Sequence, residues 1–126
     1  MKLISVVAFA AFLVAPALGA LGGADKCMND ADQAIWNGGG SDNFTSDMDT
    51  CGHKCYGAEQ CVTDCVKDAE GYSDECSGCF GALADCTVKK CMTECMLGRS
   101  EKCDACVAEN CNPGFTDCSG ISDIPS

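Results

Sequence analysis

The sequence predicts an all-α protein, a small disulfide-rich array of short helical hairpins with an internal duplication. Three observations lead there. Fourteen cysteines lie downstream of residue 26. Eight of them fall into one spacing pattern written twice, CVTDCVKDAEGYSDECSGC at 61–79 and CMTECMLGRSEKCDAC at 91–106. No segment alternates apolar and polar residues over several positions, so strands are not expected.

The chain opens with chemistry of its own. Lys2 precedes an apolar run at 3–14, then Pro16 and small residues up to Gly19. A basic start, a short apolar stretch and a small-residue cut describe a secretory signal peptide, with residues 1–19 removed. The run falls short of the ~18 apolar residues that cross a bilayer. Export brings an oxidising compartment in which disulfides persist. An even number of cysteines then allows seven bridges with no thiol left over.

Residues 20–56 form an N-terminal helical segment. In 25–36, Met28, Ala31 and Ile35 recur at helical steps beside Cys27. Gly38, Gly39 and Gly40 end that helix in a flexible joint. Phe44, Met48, Cys51 and Cys55 then make one apolar stripe, with Gly57 as the C-terminal cap.

Residues 57–118 hold the duplicated hairpins. Each first limb carries Cys-x3-Cys (Cys61/Cys65 and Cys91/Cys95), which places both sulfurs on one helix face. Gly71 and Gly98 reverse the chain, and Ser73 and Ser100 are suited to N-cap the second limbs. Those limbs carry Cys-x2-Cys, with Phe80, Leu83 and Cys86 continuing the first and Val107 the second. Asn112 and Pro113 open a short last turn through Phe115 and Cys118 as cap and first helical residue. Residues 119–126 are a flexible tail.

In an antiparallel hairpin, bridged Cα atoms about 4.4–6.8 Å apart favour nested pairing. That predicts Cys65–Cys76 inside Cys61–Cys79, and Cys95–Cys103 inside Cys91–Cys106. Cys55–Cys86 would bracket the first unit, while Cys27, Cys51, Cys111 and Cys118 have no assigned partner. Connectivity stays open at this level, because fourteen cysteines allow on the order of a hundred thousand pairings.

Without the signal, seven basic residues face nineteen acidic ones. A balance of −12 argues against nucleic acid and anionic membranes, both of which bind through Lys and Arg. The bland reading is a solvated surface; the functional one is a basic extracellular macromolecule as partner. The acidic sets Asp25, Asp30, Asp32 and Asp42, Asp47, Asp49 lack the glycine and terminal glutamate of an EF-hand loop.

CSGC at 76–79 and CDAC at 103–106 have the spacing of thiol–disulfide oxidoreductase sites. The repeat accounts for them as structural staples, and no βαβ pattern accompanies them. Zinc would use the same spacing but competes with disulfides in an exported chain, so no metal or other cofactor is expected. His53, in DTCGHKCYG, resembles the catalytic helix of secreted phospholipases A2 only in its flanks. Lys54 stands where that family has its calcium-binding aspartate. No catalytic residue is expected. Asn43-Phe44-Thr45 is an N-glycosylation sequon. The sequence therefore reads as a secreted, acidic, disulfide-stabilised, non-enzymatic interaction protein: an extracellular effector, toxin-like or matrix-type ligand. The alternative is a thiol–disulfide redox protein using a Cys-x2-Cys pair.

Overall fold

The computed structural model describes residues 25–126, so the expected signal peptide lies outside the described residues. The described chain is all-α, with no strand among the described residues. Asn29 accepts a hydrogen bond from the Asp32 amide at 2.8 Å and starts α1 (Asp30–Ile35). This cap puts Cys27 and Met28 ahead of the helix rather than inside it, because a capping residue has extended backbone. The triple glycine does not end the helix. A π-helical turn (Trp36–Gly40) carries it, with a kink at Gly39, straight into α2 (Ser41–Cys55). The kink has a packing role: Gly40 lies under the Tyr72 hydroxyl, where a side chain would collide with it.

Tyr56, not Gly57, takes the left-handed cap of α2. A short turn leads to α3 (Glu59–Glu70), and Gly71 at φ 90° closes that helix. Ser73 caps the next helix through the Cys76 amide, as its position in the repeat predicts. That helix, α4 (Asp74–Cys95), fuses the second limb of the first unit with the first limb of the second, kinking at Cys91. Ser100 caps α5 (Glu101–Asn110) through the Cys103 amide. In α6 (Asn112–Ser119) the cap position is Cys111, one residue before the expected Asn112.

Most of the few aromatic residues in the described chain gather at one place. Phe44 lies 5.8 Å from Trp36, 5.9 Å from Phe80 and 5.7 Å from Phe115, ring centre to ring centre. Tyr72 stacks on Phe80 at 4.9 Å. All five rings are buried. Each such side chain contributes about 1.5–3 kcal/mol on leaving water, so the core is small but concentrated. Residues 120–126 are not helical, yet Ile121 is buried and Ile124 packs on the core. The expected flexible tail is thus held by its apolar residues.

All fourteen cysteines are bonded. In the second unit the pairs are the nested ones, Cys91–Cys106 and Cys95–Cys103. The first unit corrects the expectation, since neither Cys61–Cys79 nor Cys65–Cys76 forms. Instead Cys55–Cys61 nests inside Cys51–Cys65, tying α2 to α3. The reason is helical phase. Neighbouring positions differ by about 100° around a helix, so the face with Cys61 and Cys65 is not the face with Val62 and Val66. The valines are fully buried, and α3 packs most extensively on α4. There Gly81 admits Thr63 so closely that any Cβ would clash with it. The cysteine face is left for α2.

Released from α3, Cys76 and Cys79 stitch both ends of the described chain to the start of α4, as Cys27–Cys76 and Cys79–Cys118. Two backbone hydrogen bonds support the arrangement, Lys26 N to Cys118 O and Cys27 N to Ser119 O, each 3.0 Å. The expected Cys55–Cys86 is also replaced, since Cys86 bonds Cys111. Because the two units differ in connectivity, the duplication seen in the cysteine spacing does not extend to the bridges.

Candidate functional site

On α2, Phe44, Met48 and Gly52 follow one another at four-residue steps, which aligns them on one face, and Tyr56 caps the helix end. That face, the second half of α4, α5 and the end of the chain surround an open cleft of about 530 Å3. Leu83, Val88, Met92, Met96 and Val107 supply much of the facing wall, with the Cys95–Cys103 bridge beside them. Helical phase explains this lining. The bridges Cys91–Cys106 and Cys95–Cys103 hold α4 against α5, so Met92 and Met96 are not needed in that contact and remain largely exposed. Tyr56 at 92 % exposure and Leu97 at 97 % extend the apolar surface.

Of the charged side chains lining the cleft, Arg99 and Asp104 are paired. Arg99 Nη2 donates to Asp104 Oδ2 at 3.1 Å. His53 Nδ1 lies 2.9 Å from the Asp49 carbonyl oxygen and 3.4 Å from the Asp49 carboxylate. A carbonyl only accepts, so Nδ1 carries the hydrogen and Nε2 is the acceptor of the neutral ring. His53 is an exposed residue of α2, set in the rim of the cleft.

Two acidic sites lie elsewhere. Asp32 is buried; burial pushes its carboxyl up, but hydrogen bonds from the Ser73 hydroxyl (2.6 Å) and amide (2.8 Å) and from Asn29 (2.7 Å) outweigh it and hold the group below its usual range. Asp47 on α2 meets Glu70 at the end of α3. Burial, then the hydrogen bond to Glu70 and the charge of that carboxylate, push Asp47 up to about 7. Burial, followed by the charges of Glu70, Asp47 and Asp32, also raises the Tyr72 hydroxyl. Among the described residues no group of three or more His, Cys, Asp or Glu is placed to hold a metal.

The residues singled out by sequence are thus dispersed. Asn43 is exposed on α2 and donates to Glu70 Oε2 at 3.0 Å. The four Cys-x2-Cys cysteines bond elsewhere, Cys76 to Cys27, Cys79 to Cys118, Cys103 to Cys95 and Cys106 to Cys91. The cleft was not anticipated.

Fold and bridges define a small, all-α, disulfide-stabilised protein. Its many disulfides are compatible with an extracellular setting, and no described helix is long and apolar enough to cross a membrane. No family model matches the sequence, no curated protein matches it, and no solved structure matches it.

Proposed function

We propose that the protein is secreted and works outside the cell as a non-enzymatic interaction protein, with the cleft as its binding site. The observation that carries this reading is the open apolar cleft on bridged helices. Concave apolar sites of about 300–1,000 Å3 with a few polar groups are the usual form of a ligand site. Rigid walls support the reading further, because little conformational freedom is left to lose on binding. The acidic remainder of the surface suits a basic extracellular macromolecule as a second contact, in the manner of an effector, toxin-like or matrix-type ligand. Asn43, exposed on α2, is the expected attachment point of a glycan in this reading.

The redox alternative is less well supported. A dithiol couple needs Cys76 bonded to Cys79, or Cys103 to Cys106, whereas each of these cysteines ties two separate segments together. Two measurements on the native protein test the proposal. Alkylation followed by intact mass is expected to find no free thiol, before or after mild reductant. Titration with Nile red, a neutral solvatochromic dye, is expected to saturate at one site and to weaken at least tenfold in Met92→Glu. An easily reduced 76/79 or 103/106 pair would favour the redox protein, and no saturable binding would remove the cleft as a site.

A further inference from the structure

We propose that Asp47, Glu70 and Asn43 form a calcium-binding site where the end of α3 meets α2, with the Tyr72 hydroxyl as its inner polar wall. The site is separate from the cleft and does not depend on it.

Gly40, Asn43 and Asp47 stand at i, i+3 and i+7, which makes them one stripe of the helix. Residues 70–72 lie over that stripe. Tyr72 Oη occupies the space that a side chain at Gly40 would fill. Asn43 donates to Glu70 Oε2 at 3.0 Å, and Asp47 is hydrogen-bonded to the same Glu70 carboxyl. The set Asp42, Asp47, Asp49 has no loop spacing of its own, and the fold brings Asp47 a second carboxylate from α3.

Tyr72 supplies the independent sign of a ligand. It is 1 % exposed, and its hydroxyl has no hydrogen-bond partner. That hydroxyl points at the stripe, and after burial the charges of Glu70 and then Asp47 act on it most strongly. A buried donor without a partner is costly. Beside it stand two carboxylates that no ion pair among the described residues reaches. One hydrated cation answers both mismatches: the carboxylates ligate the ion, and a water in its shell accepts from Tyr72.

The donors select the ion. All are oxygen, whereas zinc and copper prefer imidazole and thiolate, and every cysteine is in a bridge. Each carboxylate can bind through both oxygens. Turning the Asn43 amide presents Oδ1 and points Nδ2, the atom that carries a glycan, away from the site. Calcium accepts about six to eight oxygens in irregular geometry, waters included, while magnesium demands a near-ideal octahedron. A formal charge of −11 draws cations to the surface.

The test is calorimetric titration of the intact, fully bridged protein with calcium chloride near neutral pH, after chelator treatment and exchange. One saturable site is expected, with Kd of about 0.1–1 mM, the range of extracellular calcium modules. Asp47→Asn and Glu70→Gln are each expected to weaken it at least tenfold. Asn43→Asp adds a third carboxylate and is expected to tighten it about tenfold, since affinity follows the ligand charge count. Asp64→Asn, an equal charge change at an exposed position of α3, is expected to leave it unchanged. Tyr72→Phe is expected to keep or raise the denaturation midpoint without calcium and to weaken calcium binding up to about tenfold, the scale of one hydrogen bond. No saturable heat, or equal weakening by Asp64→Asn and Asp47→Asn, overturns the site in favour of diffuse association with an acidic surface. Weaker binding in Asn43→Asp removes Asn43 from the ligands and overturns the proposed set, and magnesium binding as tightly as calcium overturns the choice of ion.

Discussion

At residues 74–84, α4 buries its own Phe80 and Leu83 and packs against α3, whose Val62 and Val66 are fully buried, and its two cysteines reach out to the chain ends. At residues 88–95 it is tied to α5 by Cys91–Cys106 and Cys95–Cys103, and Met92 stays half exposed. One helix thus shows two ways of fixing neighbours. Where side chains interdigitate, apolar surface is consumed by the fold. Where covalent bridges set the spacing, apolar side chains are left over, and the cleft is built from them. A bridge restricts the unfolded chain without requiring that every neighbouring side chain be packed.

The largest expected contrast comes from truncating one side chain in each half. Phe80→Ala is expected to lower stability by about 3–5 kcal/mol, the usual cost of removing a buried ring. Met92→Ala should stay within about 0.5 kcal/mol, as exposed positions do. Urea denaturation followed by the fluorescence of the single tryptophan, Trp36, reads both. A costly Met92→Ala would mean that the second half also depends on packing, and the comparison would fail.

Removing a bridge is the next effect in size. Cys95→Ser with Cys103→Ser opens a loop of sequence separation 8, for which chain entropy gives about 2–3 kcal/mol. The bridge also holds the cleft wall. Amide exchange is expected to rise across 92–103 and dye binding to fall, while Trp36 fluorescence without denaturant stays that of the wild type. Loss of the Trp36 signal would show the two halves to be one cooperative unit.

A smaller effect separates the halves by pH. Burial, then the hydrogen bond to Glu70 and the charge of its carboxylate, push Asp47 up to about 7 in the folded protein, against 3.8 ordinarily. The native state therefore binds more protons than the unfolded chain between these values. The pair's contribution is fully present below about pH 3.8 and is lost as pH rises through 7. Asp47→Asn replaces the titrating carboxyl with an amide, whose N–H is available to Glu70 at every pH. Its stability is expected to match the wild type in acid and to exceed it above neutrality. Equal slopes for the two proteins would show that the shared proton does not exist. Dye binding at the cleft is expected to ignore this change.

Much of the packed half was legible in the sequence, and the reason is local. Ser73 and Ser100 cap helices because a hydroxyl before acidic residues can do little else. Phe80 and Leu83 fell on one face by spacing alone. Cys91–Cys106 and Cys95–Cys103 follow from a hairpin whose limbs adjoin in sequence. The same argument misassigned Cys61 and Cys65, because two hairpins compete for them and nesting fits both. The shorter turn between Cys55 and Cys61, a separation of 6, was the available clue. Cys27–Cys76 and Cys79–Cys118 had no local signal at all, since they depend on where the chain ends return. The cleft was hidden for a different reason. Apolar periodicity marks a face that avoids water, but it does not say whether the protein itself covers that face, so Met92 and Met96 looked no different from core residues.

Gly52 gives the finest test of the comparison, because it asks whether the open half has been left short of its possible stability. Alanine at this position meets no neighbour and keeps a helical backbone. Gly52→Ala is therefore expected to raise stability by about 0.5–1 kcal/mol, through helix propensity and a less flexible unfolded chain. The equivalent change at Gly81, in the packed half, is expected to destabilise, because its Cβ would strike Thr63 and the Glu59 carbonyl. Denaturant midpoints of the two variants should move in opposite directions. If Gly52→Ala also weakens Nile red binding, the glycine is kept for the ligand at the expense of the fold; if stability falls instead, the space above it belongs to the packing after all.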